Sequence, residues 1–163
     1  MTKFVAAAAA LAASALCAQP SAQAAACWGP QAVNAAKLRN LDIMLMVTAL
    51  RCRKGADDFQ PAYYEFAVRH RSELNAAAAV LRDQFADRGA LGATRALDKM
   101  SVVIANGYGG GHPELGCRQL SRITADLAYS RVRGALLDAA DALVGAPAIP
   151  AGACAAQVAT VRR

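Results

Sequence analysis

Aromatic, charged and proline residues are all scarce in this chain, and these shortages exclude some classes of protein. Aromatic residues make up 6% and charged residues 18% of the 163 positions, and only 6 prolines occur. Hydrophobic residues make up 56%, which is too many for a disordered or collagen-like chain. Alanine fills 42 positions. Because alanine favours helices while strands favour aromatic and β-branched residues, the composition predicts a helical fold, and the length suits one domain.

The N-terminal residues have the pattern of a secretory signal peptide. Residues 1–3 are a short basic start, residues 4–18 are apolar or small without a charge, and residues 22–24 read Ala-Gln-Ala. This order predicts a signal peptide over residues 1–24, cleaved after Ala24, with cleavage after Ala26 as the alternative. A membrane anchor is disfavoured because the apolar stretch is shorter than the roughly 20 residues that span a bilayer.

The rest of the chain contains no second long apolar run. The most apolar stretch, residues 41–50, includes Asp42 and is flanked by Arg39 and Arg51. It predicts a buried helix segment. Removal of residues 1–24 takes away one basic residue and no acidic residue, so the formal net charge falls from +6 to +5. We therefore expect an exported protein, periplasmic or secreted, with no integral membrane span after cleavage of the signal peptide.

The cysteines agree with export. Cys17 lies within the predicted signal peptide, which leaves four others: Cys27, Cys52, Cys117 and Cys154. An even number of cysteines in a small exported domain predicts two disulfides. A zinc site is disfavoured because no two of these cysteines form a C-x-x-C pair.

Apolar residues that recur in three- and four-residue steps divide the chain into helices. The expected ranges are 30–53, 57–88, 93–106 and 113 onward, the last with a bend or break between 130 and 134. We predict an all-α fold, an antiparallel four-helix bundle over residues 25–145 with two disulfides. An irregular tail, residues 146–163, follows.

The bundle predicts how the cysteines pair. The first helix would be about 34 Å long, so Cys27 and Cys52 at its two ends cannot meet. An up-down-up-down path places Cys52 near Cys117, at the start of the fourth helix. It places Cys27 near Cys154 at the opposite end. We therefore predict the bonds Cys52–Cys117 and Cys27–Cys154, the second of which ties the tail back to the bundle.

Residues 107–112 raise the possibility of a nucleotide site. Gly107, Gly109, Gly110 and Gly111 follow a β-prone run and precede a predicted helix. A dinucleotide-binding turn needs a further glycine three residues after Gly109, where His112 stands instead. The first three residues, Gly107-Tyr108-Gly109, superficially resemble the glycine turn of S-adenosylhomocysteine hydrolases. A helix–helix loop is the favoured interpretation, with Tyr108 and His112 as possible ligand contacts.

His70 lies on the apolar stripe of the second predicted helix, which suggests a metal or haem ligand. Met44 or Met46 of the first helix could add a thioether, as in haem-binding four-helix bundles, and His112 is the other histidine. The chain has no C-x-x-C-H motif for covalent haem. We favour a histidine bonded at a helix interface, and we predict no cofactor and no metal.

The remaining polar residues predict no catalytic centre. Asp57 and Asp58 stand at a helix start, where adjacent carboxylates cap more often than they catalyse. No Ser, His and Asp constellation is recognisable. The basic surplus is interspersed with acidic residues and lacks interleaved aromatics, so nucleic acid is not an expected partner.

The first predicted helix carries a second apolar stripe: Ile43, Met46, Val47 and Leu50. Either this helix is central and buried on all sides, or the stripe is a docking face for a protein partner or for self-association.

Three segments together resemble a group of small exported proteins from alphaproteobacteria. They are Cys27-Trp28, the run LDIMLMVTALRCR over residues 41–53, and the run DFQPAY over residues 58–63. The resemblance covers most of residues 27–120. It implies an exported, disulfide-bonded helical domain and assigns no catalytic residue. Some members carry an S-adenosylhomocysteine hydrolase label, which the glycine pattern of this chain does not support.

We therefore expect a binding or structural accessory protein of the cell envelope that is not an enzyme. The alternative is a small exported enzyme, or a haem- or metal-binding bundle, that uses His70 and residues 107–112.

Overall fold

The computed structural model describes residues 28–144 and 146–147, and this part of the chain is all-helical with no strand. The predicted signal peptide, the Cys27–Cys154 bond and most of the predicted tail lie outside the described residues. The helices are α1 (Pro30–Cys52), α2 (Gln60–Arg69), α3 (Arg71–Asp83), α4 (Gly89–Gly107), α5 (Cys117–Tyr129) and α6 (Ala135–Leu143), with a 3-10 turn at Ala86–Arg88.

Helix α1 is the centre of the fold and packs against each of the other five helices. It begins at Pro30, after an extended Gly29, as expected for proline at the first helical position. The side chains buried along it include four alanines, whose small size lets neighbouring helices approach closely: Ala32, Ala35, Ala36 and Ala49. Because α1 contacts helices on several sides, apolar residues occur on more than one of its faces.

The second predicted helix is wrong as one continuous element, because it divides into α2 and α3 at His70. His70 has φ −99° and ψ 12°, which lie outside the α-helical range. The two helices have different packing partners: α2 packs mainly on α5, and α3 packs mainly on α1. The backbone hydrogen bonds His70 N–H to Phe66 O and Leu74 N–H to His70 O, both 3.0 Å, bridge the division.

Other helix bounds also differ from the prediction. Helix α4 begins at Gly89, whose φ of 69° reorients the chain after the 3-10 turn. Helix α5 begins at Cys117, four residues after the predicted start at Pro113. The predicted break between 130 and 134 is confirmed, with Gly134 at φ 84° immediately before α6. The described residues thus form six α-helices, and the predicted four-helix arrangement is not confirmed.

The predicted Cys52–Cys117 disulfide is confirmed, with a Cα–Cα distance of 5.8 Å. It joins the end of α1 to the start of α5 across 65 residues of sequence. By the chain-entropy estimate, a closed loop of that length stabilises the folded state by about 4 kcal/mol.

The core lies around α1 and is closed at one end by an aromatic pair. Its largest fully buried side chains include Phe59, Phe66, Leu41, Met44, Leu45, Leu81 and Leu120. Trp28 packs edge-to-face on Phe85 at 5.8 Å between ring centroids, which holds the start of the described chain against the end of α3. Among the described helices, none combines the length and the apolar character that a membrane span requires.

Candidate functional site

His70 has a structural partner for one ring nitrogen. Its Nε2 lies 2.9 Å from the carbonyl oxygen of Leu127, near the end of α5, and must carry the proton because a carbonyl only accepts. The ring also packs on Phe66, at 5.3 Å between centroids, and Nδ1 lies 3.9 Å from the Glu73 carboxylate. His70 therefore fixes the junction of α2 and α3 against α5.

His112 uses both of its ring nitrogens to hold the turn before α5. Nδ1 accepts hydrogen bonds from the backbone N–H groups of Glu114 and Leu115, both at 3.1 Å. Nε2 donates to the carbonyl oxygen of Leu143, at the end of α6, at 2.9 Å. A metal ion would have to displace these bonds to reach the ring. No three His, Cys, Asp or Glu side chains within residues 28–144 are grouped so that they could hold a metal ion.

The loop after α4 is held in place by neighbouring residues. Arg51 Nη1 donates to the carbonyl oxygen of Gly109 at 3.1 Å. Gly111 has φ 96°, and a Cβ atom there would lie 3.4 Å from the Arg51 side chain. A larger residue at Gly111 would therefore be strained by its backbone conformation. The loop predicted from the glycines is present, and it is fixed at several points.

An open cavity of about 400 Å³ lies beside this loop, and we name it the glycine-loop cavity. Its wall includes Asn40, Val103, Ile104, Tyr108, Pro113 and Val144. Burial raises the pKa of the Tyr108 hydroxyl above its usual value. Of the three predicted ligand-contact residues, the structure thus places Tyr108 in a cavity wall and uses His70 and His112 in backbone hydrogen bonds.

A larger concave surface lies between α1 and α2. This surface, the α1–α2 groove, has a volume of about 600 Å³. Its apolar lining includes Met46 and Leu50 of α1 and Pro61, Tyr63 and Tyr64 of α2. Leu50 is 44% exposed and Tyr64 is 66% exposed, and the two side chains line the same concave surface. The groove is therefore an apolar surface open to solvent.

The predicted stripe on α1 is divided between the core and this groove. Ile43 lies in the core, and Val47 is half-buried against it. Met46 and Leu50 line the groove. The part of the stripe that a partner could reach is therefore the pair Met46 and Leu50.

A partly buried polar network, which the sequence analysis missed, supports the groove wall. Tyr63 Oη donates to Asp42 Oδ1 at 2.9 Å. Arg39 Nη1 lies 3.6 Å from Asp42 Oδ2, and Arg39 also donates from Nε and Nη2 to Ser101 Oγ, at 3.1 and 3.0 Å. Burial raises the pKa of Asp42, although Tyr63 and Arg39 act in the opposite direction. Burial and the neighbouring Asp42 carboxylate likewise raise the pKa of Tyr63. The sequence contains one signal of this network, because Asp42 lies in an apolar run, three residues after Arg39.

The acidic residues at the start of α2 act as structural groups. Asp58 Oδ1 accepts the backbone N–H of Gln60 at 2.9 Å and so forms a turn before α2. The N-cap residue of α2 is Phe59 and no side chain caps the helix, so the predicted capping role of Asp57 and Asp58 is wrong. Asp57 forms an ion pair with Arg118 at 3.1 Å. These contacts connect the start of α2 to α5 and give neither carboxylate an obvious role in acid–base chemistry.

Comparison of the chain with protein-family models, with curated proteins and with solved structures gave no match.

Proposed function

We propose that this protein is an exported accessory protein of the cell envelope that binds a partner polypeptide in the α1–α2 groove and is not an enzyme. The observation that carries the proposal is the exposed apolar lining of the groove, above all Leu50 and Tyr64. Apolar concave surfaces of this kind are typical of sites that hold an amphipathic helix or an extended segment.

The charged residues that line the groove support a partner segment of opposite charge. Asp58 and Glu65 are the charged residues of the groove lining, and both are acidic, although the whole chain has a formal net charge of +6. Glu65 is paired with Arg69 at 3.1 Å, but the two side chains are 45% and 47% exposed. An exposed pair of this kind contributes little and can exchange partners. We therefore infer a partner segment with apolar anchors flanked by lysine or arginine.

The same proposal includes export, a second disulfide and membership of the alphaproteobacterial group. The Cys52–Cys117 disulfide supports it, because disulfides persist in oxidising compartments. In such a compartment Cys27 and Cys154 would form the second bond, and cleavage after Ala24 would leave Cys27 near the new N-terminus. Mass spectrometry of the protein purified from the periplasm or the medium tests the cleavage site and the bond together.

The alternative of a haem or metal bundle around His70 and residues 107–112 receives less support. Both His112 nitrogens and the Nε2 of His70 are bonded to backbone atoms of neighbouring segments. Ligation through these atoms would break the contacts that hold α5 and α6.

The groove is tested with two synthetic helical peptides that share the same leucine and methionine anchors at i, i+3, i+4 and i+7. One peptide carries lysines beside the anchors, and the other carries glutamates. We expect the lysine peptide to bind about tenfold more tightly, because two exposed charge pairs contribute roughly 0.2–1 kcal/mol each. The double variant Asp58→Asn with Glu65→Gln should remove the preference, and the asparagine keeps an oxygen that can accept from Gln60.

Leu50→Glu should abolish binding of the lysine peptide. Leu91→Glu is the matched control, because Leu91 is 77% exposed on α4 and lies outside the groove. Equal binding of both peptides, or equal effects of the two glutamate variants, would contradict the proposal. Concentration-dependent dimerisation that Leu50→Glu removes would replace the partner polypeptide with a second copy of this chain.

A further inference from the structure

The connection between α5 and α6 carries two exposed apolar side chains. Its residues, 129–134, read Tyr-Ser-Arg-Val-Arg-Gly, and we name them the α5–α6 turn. Tyr129 is 62% exposed and Val132 is 71% exposed. Ser130 Oγ accepts the backbone N–H of Val132 at 3.3 Å, and the carbonyl oxygen of Val132 accepts the N–H of Ala135 at 3.2 Å. These bonds hold Val132 in its exposed position.

The α5–α6 turn is basic. Arg131 and Arg133 flank Val132, and all three residues are exposed. Neither arginine forms an ion pair with another residue in the described part of the chain. No acidic residue occurs between positions 127 and 137. The turn therefore presents two positive charges on either side of an exposed valine.

The end of α2 lies against the end of α5 and adds a third cation. The guanidinium carbon of Arg69 lies 4.3 Å from the centroid of the Tyr129 ring, which is a cation–π contact. Two acidic side chains of the adjoining helices already have basic neighbours, because Glu65 pairs with Arg69 at 3.1 Å and Glu73 lies 3.9 Å from His70. The acidic side chains nearby in sequence thus leave the two arginines of the turn uncompensated.

We propose that the α5–α6 turn docks the protein on a bilayer that contains anionic phospholipids. Arg131 and Arg133 would contact the lipid phosphates, and Val132 would enter the boundary between the headgroups and the acyl chains. Tyr129 would lie at the level of the headgroups, where tyrosine rings are enriched. The inference goes beyond the proposed groove, because it concerns a different surface and a different class of partner.

The exposure of Val132 favours a bilayer over an acidic polypeptide. Anchor side chains at protein interfaces fill enclosed pockets of the partner. A side chain that projects from a short turn can enter a deformable lipid surface without such a pocket. Because Val132 stands between two arginines, its insertion would bring both cations to the phosphate layer together.

The test measures co-sedimentation of the purified protein with phosphatidylcholine vesicles that either contain or lack phosphatidylglycerol. We expect at least about tenfold stronger binding to the anionic vesicles. An increase of the salt concentration from about 0.05 to about 0.5 M should weaken this binding about tenfold or more, because salt screens exposed charges. Every comparison uses variants of the same chain, so residues outside the described part contribute equally.

Two pairs of substitutions test the charges. Arg131→Gln with Arg133→Gln should weaken binding to the anionic vesicles about 30-fold, because each arginine near such a surface contributes about fivefold. Arg82→Gln with Arg95→Gln is the matched control, because it removes the same charge from exposed positions on α3 and α4. The control should change binding less than about threefold.

Tryptophan fluorescence tests insertion of the turn. The chain has a single tryptophan, Trp28, which is buried at 7% exposure and gives a constant background. The emission of Val132→Trp should shift to shorter wavelength on anionic vesicles and should be quenched by lipids with brominated acyl chains. Leu91→Trp is the matched control, because Leu91 is 77% exposed on α4, and its emission should not respond.

Equal weakening by the two glutamine pairs, or an equal fluorescence response at positions 132 and 91, would overturn the proposal. Binding to polyglutamate without binding to the anionic vesicles would replace the bilayer with an acidic polypeptide. Leu50→Glu alters the α1–α2 groove and should bind the vesicles as the natural protein does. A failure of the groove proposal is therefore distinguishable from a failure of this one.

Discussion

Thr48→Val should stabilise the protein, whereas Thr124→Val should destabilise it. Both threonines are buried in helices, at 2% and 0% exposure. Thr48 Oγ1, on α1, has no hydrogen-bond partner among the described residues. Thr124 Oγ1, on α5, donates to the carbonyl oxygen of Leu120 at 2.7 Å. The same substitution therefore removes an unsatisfied hydroxyl at one site and a bonded hydroxyl at the other.

The expected magnitudes follow from this difference. Threonine and valine have similar shapes and similar helix propensities, so those contributions largely cancel. A buried hydroxyl without a partner costs about 1–3 kcal/mol, so Thr48→Val should raise the free energy of unfolding by about 1 kcal/mol or more. Thr124→Val should lower it by about 0.5–1.5 kcal/mol, the net value of one hydrogen bond. For a domain of this size, each kcal/mol shifts the melting temperature by roughly 3–6 °C.

The assay is unfolding by urea and by heat, followed by far-ultraviolet circular dichroism with the disulfide intact. The slope of the free energy of unfolding against urea concentration should be the same in both variants, because neither substitution changes the surface area that unfolding exposes. Shifts of the same sign in the two variants would refute the reasoning. A loss of stability in Thr48→Val would show that its hydroxyl has a partner, such as a bound water molecule.

Three further predictions concern the rest of the fold. Cys52→Ala with Cys117→Ala should lower the free energy of unfolding by about 4 kcal/mol, measured by urea unfolding, and a loss below about 1 kcal/mol would contradict the chain-entropy account. The pKa of Asp42 is raised above 3.8 in the folded protein, so folding favours the protonated carboxyl. The stability that this group contributes is therefore complete below pH 3.8 and is lost as the pH rises through the pKa of the folded state. The stability of Asp42→Asn relative to the natural protein should therefore increase between pH 3 and pH 7, and a constant or decreasing difference would refute the assignment. His112→Ala removes three hydrogen bonds and should cost about 2–4 kcal/mol in thermal or urea unfolding, whereas a neutral effect would show that the turn before α5 forms without the ring.

Local sequence signals predicted the parts of the fold that depend on neighbouring residues. Proline at the first position of α1, the phase shift of apolar residues near Gly134 and the path that joins Cys52 to Cys117 all agree with the structure. The division at His70 could not be predicted in the same way. No glycine or proline marks it, and the ring there is bonded to Leu127, which is 57 residues away in sequence.

The candidate sites were predictable only in part, for a similar reason. Met46 and Leu50 were recognisable as apolar residues outside the main stripe of α1, and Tyr108 was recognisable from its glycine neighbours. The bond between Arg39 and Ser101 spans 62 residues and depends on how α1 packs against α4. The burial of Asn40 could not be predicted from the sequence, because an asparagine in a helix is more often exposed.

The central position of α1 also determines how parts of the molecule open and close. Every other helix packs on α1, so none of them can separate from the fold without exposing a face of α1. Its amide protons should therefore exchange with solvent only through global unfolding, at the slowest rates in the protein. Helix α2 is different, because it packs mainly on α5 and contributes only one side of the groove. We expect its amides to exchange through a smaller opening, so that the wall next to a partner polypeptide moves while the opposite wall stays fixed.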